Sequence, residues 1–205
     1  MLRARPRRAL RGPAWQSGRV ATTLYYTATT LDGFIADERN SLDWLFEVDR
    51  EQDGDHSFAD FFAGVGAMAM GSTTYEWVYE HERLGDEPER WRGWYGDTPS
   101  WVFTHRDLPA IAGADVRFVQ GDVAPVHAEM ARAAGDRSIW LVGGGDLVGQ
   151  FADRGLLDEI LVAIAPVTLG RGAPLLPRRL TASDLELVDV GRDRQFARLR
   201  YRVRR

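Results

Sequence analysis

The sequence predicts a single α/β domain in which a mixed β-sheet lies between two layers of helices. Three observations lead to this fold class. Strand-like and helix-like segments alternate through the middle of the chain, two strand-like segments close it, and 205 residues fit one domain. The alternation favours parallel strands joined by helices, and the closing pair favours antiparallel strands. We therefore expect one three-layer α/β/α domain over residues 20–205.

Segments rich in β-branched, aromatic and small apolar residues predict the strands. Asp32 and Gly33 form a turn between the first two. In the last segment Phe196, Arg198, Arg200 and Arg202 alternate with mostly apolar residues. The predicted strands span residues 22–30, 34–36, 64–70, 101–104, 116–119, 138–142, 159–165, 185–190 and 196–203.

Periodicity and capping residues predict four helices, and residues 37–55 and 80–98 are expected to be irregular. The second irregular region is interpreted as a polar loop that carries Trp91, Trp94 and Tyr95. The predicted helices are 57–62 with Ser57 as a cap, a helix after residue 71 that Ser72 or Thr73 caps, 123–134 ended by Gly135, and a helix from residue 145 to about residue 155.

The reactive side chains limit the possible chemistry. The chain has no cysteine and no lysine, which excludes disulfides, thiolate metal sites, a cysteine nucleophile and lysine-based Schiff-base or P-loop chemistry. His56, His81, His105 and His127 lack the spacing of a metal site, so we expect no bound metal. No nucleophile–base pair is recognisable. The chemistry would therefore rest on an organic cofactor.

The first 19 residues differ in charge from the rest. They contain six arginines and no acid, so the net charge of −4 for the chain leaves −10 for the remainder. Such an acidic body is a poor match to phosphate-backbone binding, and we expect no nucleic-acid partner. We interpret residues 1–19 as a disordered tail, with a nucleic-acid arm or a targeting peptide as alternatives. No apolar run approaches the roughly 20 residues of a membrane span, so we expect a cytoplasmic protein without membrane contact.

Three consecutive glycines, Gly143, Gly144 and Gly145, lead from a strand into a helix; we call them the glycine turn. Glycine lets the backbone approach a phosphate, and a helix N-terminus supplies free N–H groups and partial positive charge. A tight turn without a ligand is the alternative, because Val148 stands where the dinucleotide-binding fingerprint has its third glycine. Segments 71–76 and 104–106 also follow strands and carry glycine, hydroxyl or arginine groups. We infer one dinucleotide across the carboxyl edge of the sheet.

Five segments occur in an order that is characteristic of one superfamily. They are YTATTLDGFIA at 26–36, MGSTTYE at 70–76, VFTHR at 102–106, VGGGDLVGQF at 142–151 and PVTLGRGAPLL at 166–176. The chain resembles the dihydrofolate reductase superfamily over about residues 22–203, and especially the branch similar to the reductase domain of bacterial riboflavin biosynthesis. The resemblance implies a dihydrofolate reductase-like fold and an NADPH-dependent oxidoreductase. Its substrate would be a small nitrogen heterocycle, pterin- or aminopyrimidine-like, as in the reduction of dihydrofolate or of 5-amino-6-(5-phosphoribosylamino)uracil.

The resemblance also implies where cofactor and substrate bind. Thr74 would hydrogen-bond the pyrophosphate, and Arg106 would lie near the adenosine 2′-phosphate. Thr30, Asp32 and Trp44 are expected at the substrate; a turn carboxylate that caps a backbone N–H is the alternative for Asp32, and an aromatic cover of the core is the alternative for Trp44. The residues expected to contact NADPH are Gly71, Ser72, Thr74, Thr104, His105, Arg106, Gly143, Gly144, Gly145, Asp146 and Leu147.

Asp32, Asp55 and Asp60 are the candidates for the acid that serves the substrate. Dihydrofolate reductases carry one such carboxylate on the helix before the second motif, and Asp55 and Asp60 lie in that region. A solvated helix acid is the alternative for both. The sequence thus leaves the catalytic acid open.

The sequence departs from the family pattern at four positions. Ser72 stands where dihydrofolate reductases have arginine, so Arg106 or His105 would have to select NADPH over NADH. Val148 replaces an aromatic residue, and Phe34 and Val142 replace the Lys and Glu that are common in the riboflavin branch. A non-catalytic module on the same fold, which binds a nucleotide or uses the 91–95 loop for a protein partner, is therefore kept as the second hypothesis.

We also expect a homodimer. The apolar segment 160–165 and the 166–177 loop supply more hydrophobic surface than a chain of this size easily covers. Related reductase domains of the riboflavin branch are similar in often pairing through such a region.

A chain that begins at Val20 is expected to keep the melting temperature and the NADPH affinity of the full chain. The reason is that residues 1–19 offer little apolar material to bury. Circular dichroism and a nucleotide titration of both chains measure this. A large drop in either quantity would show that the segment docks on the domain.

Overall fold

The computed structural model describes residues 21–48 and 58–204. Its strands are β1 (Thr23–Thr30), β2 (Phe34–Ala36), β3 (Val65–Gly71), β4 (Ser100–Phe103), β5 (Val116–Val119), β6 (Ser138–Gly143), β7 (Glu159–Ala165), β8 (Ala173–Pro174), β9 (Leu185–Asp193) and β10 (Phe196–Val203). Its helices are α1 (Asp43–Phe46), α2 (Phe58–Phe62), α3 (Ser72–His81), α4 (Glu89–Tyr95), α5 (Val123–Ala134) and α6 (Gly145–Asp153).

Eight strands form one sheet in the order β5-β4-β3-β6-β1-β7-β10-β9. The first six in this order are mutually parallel, and β10 and β9 complete the sheet in antiparallel fashion. The short strands β2 and β8 pair separately. The predicted mixed sheet is therefore confirmed. Because all six parallel strands point the same way, the loops that follow them meet at one edge.

Side chains of the central strands alternate between two buried clusters, one on each face of the sheet. Along β3, Ala67 and Ala69 join the cluster beneath α5 and α6, whereas Met68 and Met70 join the cluster beneath α3 and α4. This alternation is the period-two geometry of a strand that is covered on both faces. The three-layer arrangement follows directly from it.

Helix α5 shows how the local signals set an element. The Asp122 carboxylate accepts a hydrogen bond from the Ala124 amide at 2.9 Å, and Gly135 ends the helix with a φ of 65°. Val126 and Met130 lie on its buried face. The predicted bounds of this helix are confirmed.

Three local predictions are wrong. The 80–98 region contains α4, because Trp91 and Tyr95 are one helical turn apart and both pack inward. Residues 43–46 form α1 inside the segment that was expected to be irregular. Helix α3 has Gly71 as its N-cap, with no side-chain cap from Ser72 or Thr73. The predicted cap Ser57 lies outside the described residues.

The apolar segment on which the homodimer was predicted lies inside the protomer. Strand β7 lies between β1 and β10, and Ile160 and Val162 are buried in the core. Leu169 and Leu175 of the following loop also pack against buried clusters. Exposed apolar side chains occur instead on the edge strand β9, for example Val190. The homodimer itself stays a prediction. None of the described helices is long and apolar enough to cross a membrane.

The glycine turn packs tightly against the loop around β8. A Cβ atom on Gly145 would overlap the carbonyl oxygen of Pro174 and lie 2.5 Å from that of Leu175. A Cβ atom on the preceding Gly144 would meet nothing within 4 Å. Packing against the β8 loop therefore requires glycine at position 145 but not at position 144.

The Gly145→Ala variant is expected to lower the free energy of unfolding by about 1–3 kcal/mol, because two backbone carbonyls must move to admit a methyl group. The matched Gly144→Ala variant should change it by less than about 0.5 kcal/mol. Urea unfolding of both variants measures the difference. Equal stabilities would mean that the β8 loop yields without cost.

Candidate functional site

A cleft of about 1100 Å³ opens at the carboxyl edge of the parallel strands. It extends from Gln120 and Gly121, after β5, to Phe196 and Arg198 on β10. The ends of β4, β3, β6 and β1 lie between these limits, so the cleft crosses most of the sheet. Its position agrees with the rule that open α/β sheets bind ligands beyond the carboxyl ends of their strands.

The glycine turn forms the middle of the cleft. Gly144 is extended, with φ of −78° and ψ of 174°, and precedes the first turn of α6 without a side-chain cap. The first amides of a helix have no partner within the helix and carry partial positive charge. Because a Cβ on Gly144 would meet open space, the backbone here can be approached closely by an anion.

The start of α3 lies beside the glycine turn. A Cβ on Gly71 would be 3.7 Å from the Gly144 nitrogen, and a Cβ on Gly143 would be 3.4 Å from Thr74 Oγ1. Strands β3 and β6 are neighbours in the sheet, which brings the two helix N-termini together. Two such termini and a threonine hydroxyl are suited to a phosphate group with several oxygens.

The end of β4 supplies a turn with a charged rim. Thr104 Oγ1 accepts a hydrogen bond from the Arg106 amide at 2.9 Å, which turns the chain away from the sheet. The Arg106 guanidinium donates to Ser72 Oγ at 2.6 Å and forms a 2.6 Å ion pair with Glu76. Arg106 lies at the rim, beside the cleft rather than in its wall.

The other end of the cleft is lined by aromatic rings. The Phe58 and Trp140 rings meet edge to face with centroids 5.5 Å apart, and Tyr95 lies 6.3 Å from Trp140. The Trp140 indole N–H donates to the Tyr26 carbonyl at 3.0 Å, which fixes the ring. Burial, followed by the negative charge of Glu82, raises the pKa of Tyr95 to about 12. The Tyr95 phenol therefore stays protonated in neutral solution.

Two charged groups on the closing hairpin, Arg198 and Asp193, also line the cleft, and sequence reasoning did not single out either of them. Arg198 is half-buried, and no described carboxylate forms an ion pair with it. The alternating arginines of β10 were a signal for Arg198, since alternate residues share a face with Phe196. The next residue on that face, Arg200, is committed to Glu159 at 2.7 Å.

The structure brings most of the predicted cofactor residues together. All of them except Arg106 line the cleft, namely Gly71, Ser72, Thr74, Thr104, His105, Gly143, Gly144, Gly145, Asp146 and Leu147.

Thr30 and Asp32, expected at the substrate, hydrogen-bond to each other, and Asp32 also accepts hydrogen bonds from the loop after β7. Thr30 Oγ1 donates to the Asp32 carboxylate at 2.5 Å, and the Leu169 and Gly170 amides donate to the same carboxylate. These hydrogen bonds, of which the one from Thr30 has the largest effect, hold the pKa of Asp32 below its usual range. Neither residue lines the cleft. Asp32 is thus the turn carboxylate of the alternative interpretation, and it ties the β1–β2 turn to the loop after β7.

Trp44 and Asp60 are also outside the cleft wall. The Trp44 ring is buried against Val48 and Ala165, as the alternative interpretation expected, and Asp60 is exposed on α2. The third candidate acid, Asp55, lies outside the described residues.

The described part of the cleft offers few acids and no metal site. Asp146 is held by Gln150 and Arg178, whose hydrogen bonds lower the pKa of its carboxyl group. Asp193 is the other described carboxylate in the wall. Within residues 21–48 and 58–204, no three His, Asp or Glu side chains are grouped as a metal ion would require. An ordered organic ligand fits this lining better than a metal ion does.

Comparison with known proteins agrees with this architecture. The chain is 31% identical over 179 residues to the uncharacterized protein YwjB of Bacillus subtilis. The alignment covers 87% of this chain and 96% of that protein. The crystal structure of a Shewanella sp. PV-4 protein assigned to riboflavin biosynthesis superposes with a TM-score of 0.72 at 25% identity, over 90% of this chain and 99% of that one.

A more distant structure shares the fold. The Thermotoga maritima diaminohydroxyphosphoribosylaminopyrimidine deaminase/5-amino-6-(5-phosphoribosylamino)uracil reductase superposes with a TM-score of 0.59 at 17% identity, over 90% of this chain and 57% of that one.

The family model of the RibD C-terminal domain matches residues 22–195, which contain every strand that borders the glycine turn. The predicted dihydrofolate reductase-like fold and riboflavin-branch resemblance are confirmed. The chain belongs to the RibD C-terminal domain family.

Proposed function

We propose that the protein is an NADPH-dependent reductase that transfers a hydride to a flat nitrogen heterocycle. The observation that carries the proposal is the meeting of two helix N-termini, at Gly71 and Gly144, in a cleft whose other end is aromatic. Family membership supports the same activity, because a relative of the same fold is a phosphoribosylaminouracil reductase.

The residues of the middle cleft fit a dinucleotide. The amides at the start of α6 would hold its pyrophosphate, and Thr74 Oγ1 would donate a further hydrogen bond. The adenosine would extend toward Thr104 and Gln120, with Arg106 at its 2′-phosphate. When bound, NADPH supplies the hydride, while the protein orients and shields it.

The aromatic end fits the acceptor ring. Phe58, Tyr95 and Trp140 form walls for a planar heterocycle, and ring–ring contacts favour offset or edge-to-face packing. The protonated Tyr95 hydroxyl is a hydrogen-bond donor, and Arg198 would attract an anionic substituent on the ring. A pterin or an aminopyrimidine meets these requirements.

Turnover separates this proposal from the non-catalytic module. The purified full chain is mixed with NADPH and either a dihydropteridine or an aminopyrimidine, and the loss of NADPH absorbance is followed. Turnover with either class supports the reductase. Tight NADPH binding without turnover across both classes would favour the nucleotide-binding module.

The Gly144→Val variant is expected to weaken NADPH binding at least about tenfold, or about 1.4 kcal/mol. The branched side chain would occupy the space that the pyrophosphate needs. Isothermal titration calorimetry measures both dissociation constants. Gly93→Val is the matched control, because a Cβ at this exposed glycine of α4 also meets nothing within 4 Å. Unchanged affinity in a folded Gly144→Val protein would exclude the pyrophosphate from this turn.

The Arg106→Ala variant is expected to weaken NADPH binding by less than about tenfold and to leave NADH binding nearly unchanged. Only NADPH has the 2′-phosphate that would accept a charged hydrogen bond, and the ion pair with Glu76 reduces the roughly 1.5–3 kcal/mol that such a bond contributes. Arg92→Ala is the control, since it breaks another exposed arginine–carboxylate pair, with Asp97. Equal weakening of both nucleotides would assign Arg106 a structural role.

A further inference from the structure

We propose that Glu76 sets the nucleotide preference of the cleft by masking Arg106, so that the protein accepts NADH nearly as well as NADPH. The inference rests on the proposed function and concerns which dinucleotide the site prefers. It would make Glu76 a specificity-determining residue.

The Arg106 guanidinium already has two partners within the protein. Its Nη1 lies 2.6 Å from Glu76 Oε2, and its Nη2 donates to Ser72 Oγ at 2.6 Å. Both terminal nitrogens therefore face protein acceptors from the first turns of α3. A 2′-phosphate would have to share the guanidinium with Glu76 or displace it.

The charges around Arg106 do not favour a phosphate. Arg106 lines a small pocket beside the cleft, which shares Thr104 and Gln120 with it. The other charged side chain of that pocket is Asp107, and Arg106 is its one cation. With Glu76 added, the immediate surroundings of a bound phosphate hold one positive and two negative side chains.

The ion pair can rearrange at little cost. The side chains of Arg106 and Glu76 are 51% and 33% exposed, and ion pairs at such positions contribute little to folding. Removing the Glu76 charge should therefore leave the fold intact. In the wild-type chain, the Glu76 carboxylate should still act on a bound phosphate. A carboxylate that touches the same guanidinium stays within about 6 Å of the phosphate, which is inside one Debye length.

The expected effect appears as a ratio of two dissociation constants. The wild-type chain should bind NADPH less than about tenfold more tightly than NADH. Glu76→Gln keeps the size of the side chain and removes its charge, so it should tighten NADPH binding roughly fivefold to tenfold by freeing the Arg106 guanidinium for the 2′-phosphate. NADH, which lacks that phosphate, should bind as before.

Calorimetric titrations of the full chain with NADPH and with NADH measure this ratio. Glu80→Gln is the matched control, because it removes the same charge from an exposed position one turn further along α3. In the Glu76→Gln/Arg106→Gln double variant the gain should disappear, since the unmasked arginine is its source. Raising the salt from about 50 to about 500 mM should also shrink the gain.

The outcomes distinguish the inference from the proposed function. If the folded wild-type chain binds neither nucleotide, the proposed function fails and the inference falls with it. If both bind but Glu76→Gln leaves their ratio unchanged, only the inference is overturned. A weaker NADPH affinity in Glu76→Gln would also overturn it, because Glu76 would then position Arg106 for the phosphate. Circular dichroism confirms that each variant is folded.

Discussion

The close approach of the first turns of α3 and α6 is the constraint on which the rest of the cleft depends. Strands β3 and β6 are parallel neighbours, so the helices that follow them begin side by side. Gly143 has a φ of 152°, and a Cβ there would lie 3.4 Å from Thr74 Oγ1 of α3, so this position favours glycine. A Cβ on Gly71 would make only ordinary contacts, at 3.7 Å or more, and a Cβ on Gly144 would meet open space. Gly145 is further fixed by the carbonyls of Pro174 and Leu175, and the β8 loop thereby becomes a wall of the cleft.

From that point the cleft divides into two chemically different ends. Toward β4 and β5 the wall carries the polar side chains of Thr104, His105 and Gln120, with the Arg106–Glu76 pair at the rim. Another part of the wall is aromatic, with Phe58, Tyr95 and Trp140, and Arg198 of β10 also lines the cleft. These surfaces suit the dinucleotide and the flat acceptor ring of the proposed function. Asp32 contributes to the cleft indirectly. Its carboxylate accepts hydrogen bonds from the Leu169 and Gly170 amides and so holds the loop that leads to β8 against the end of β1.

The sequence predicted the elements whose signals are local. Helix α5 has its own cap and its own terminal glycine, and β7 is a continuous apolar run, so their bounds needed no tertiary knowledge. Helix α4 was missed because its buried face is short and surrounded by polar residues. The predicted cofactor residues that line the cleft could be selected from the sequence because each follows a strand end. Arg198, Asp193 and the aromatic walls were not, because they come from separate parts of the chain that only the sheet order brings together. The pairing of Arg106 with Glu76 depends on side-chain geometry between the loop after β4 and helix α3, which no spacing in the sequence encodes.

The most direct test of the account is a crystal structure of the full chain with NADP⁺ bound. The account predicts pyrophosphate oxygens within hydrogen-bond distance of the amide nitrogens at the start of α6, with the adenosine toward Gln120 and the nicotinamide toward Trp140. A nucleotide bound away from the glycine turn, or a cleft that stays empty at saturating NADP⁺, would contradict it.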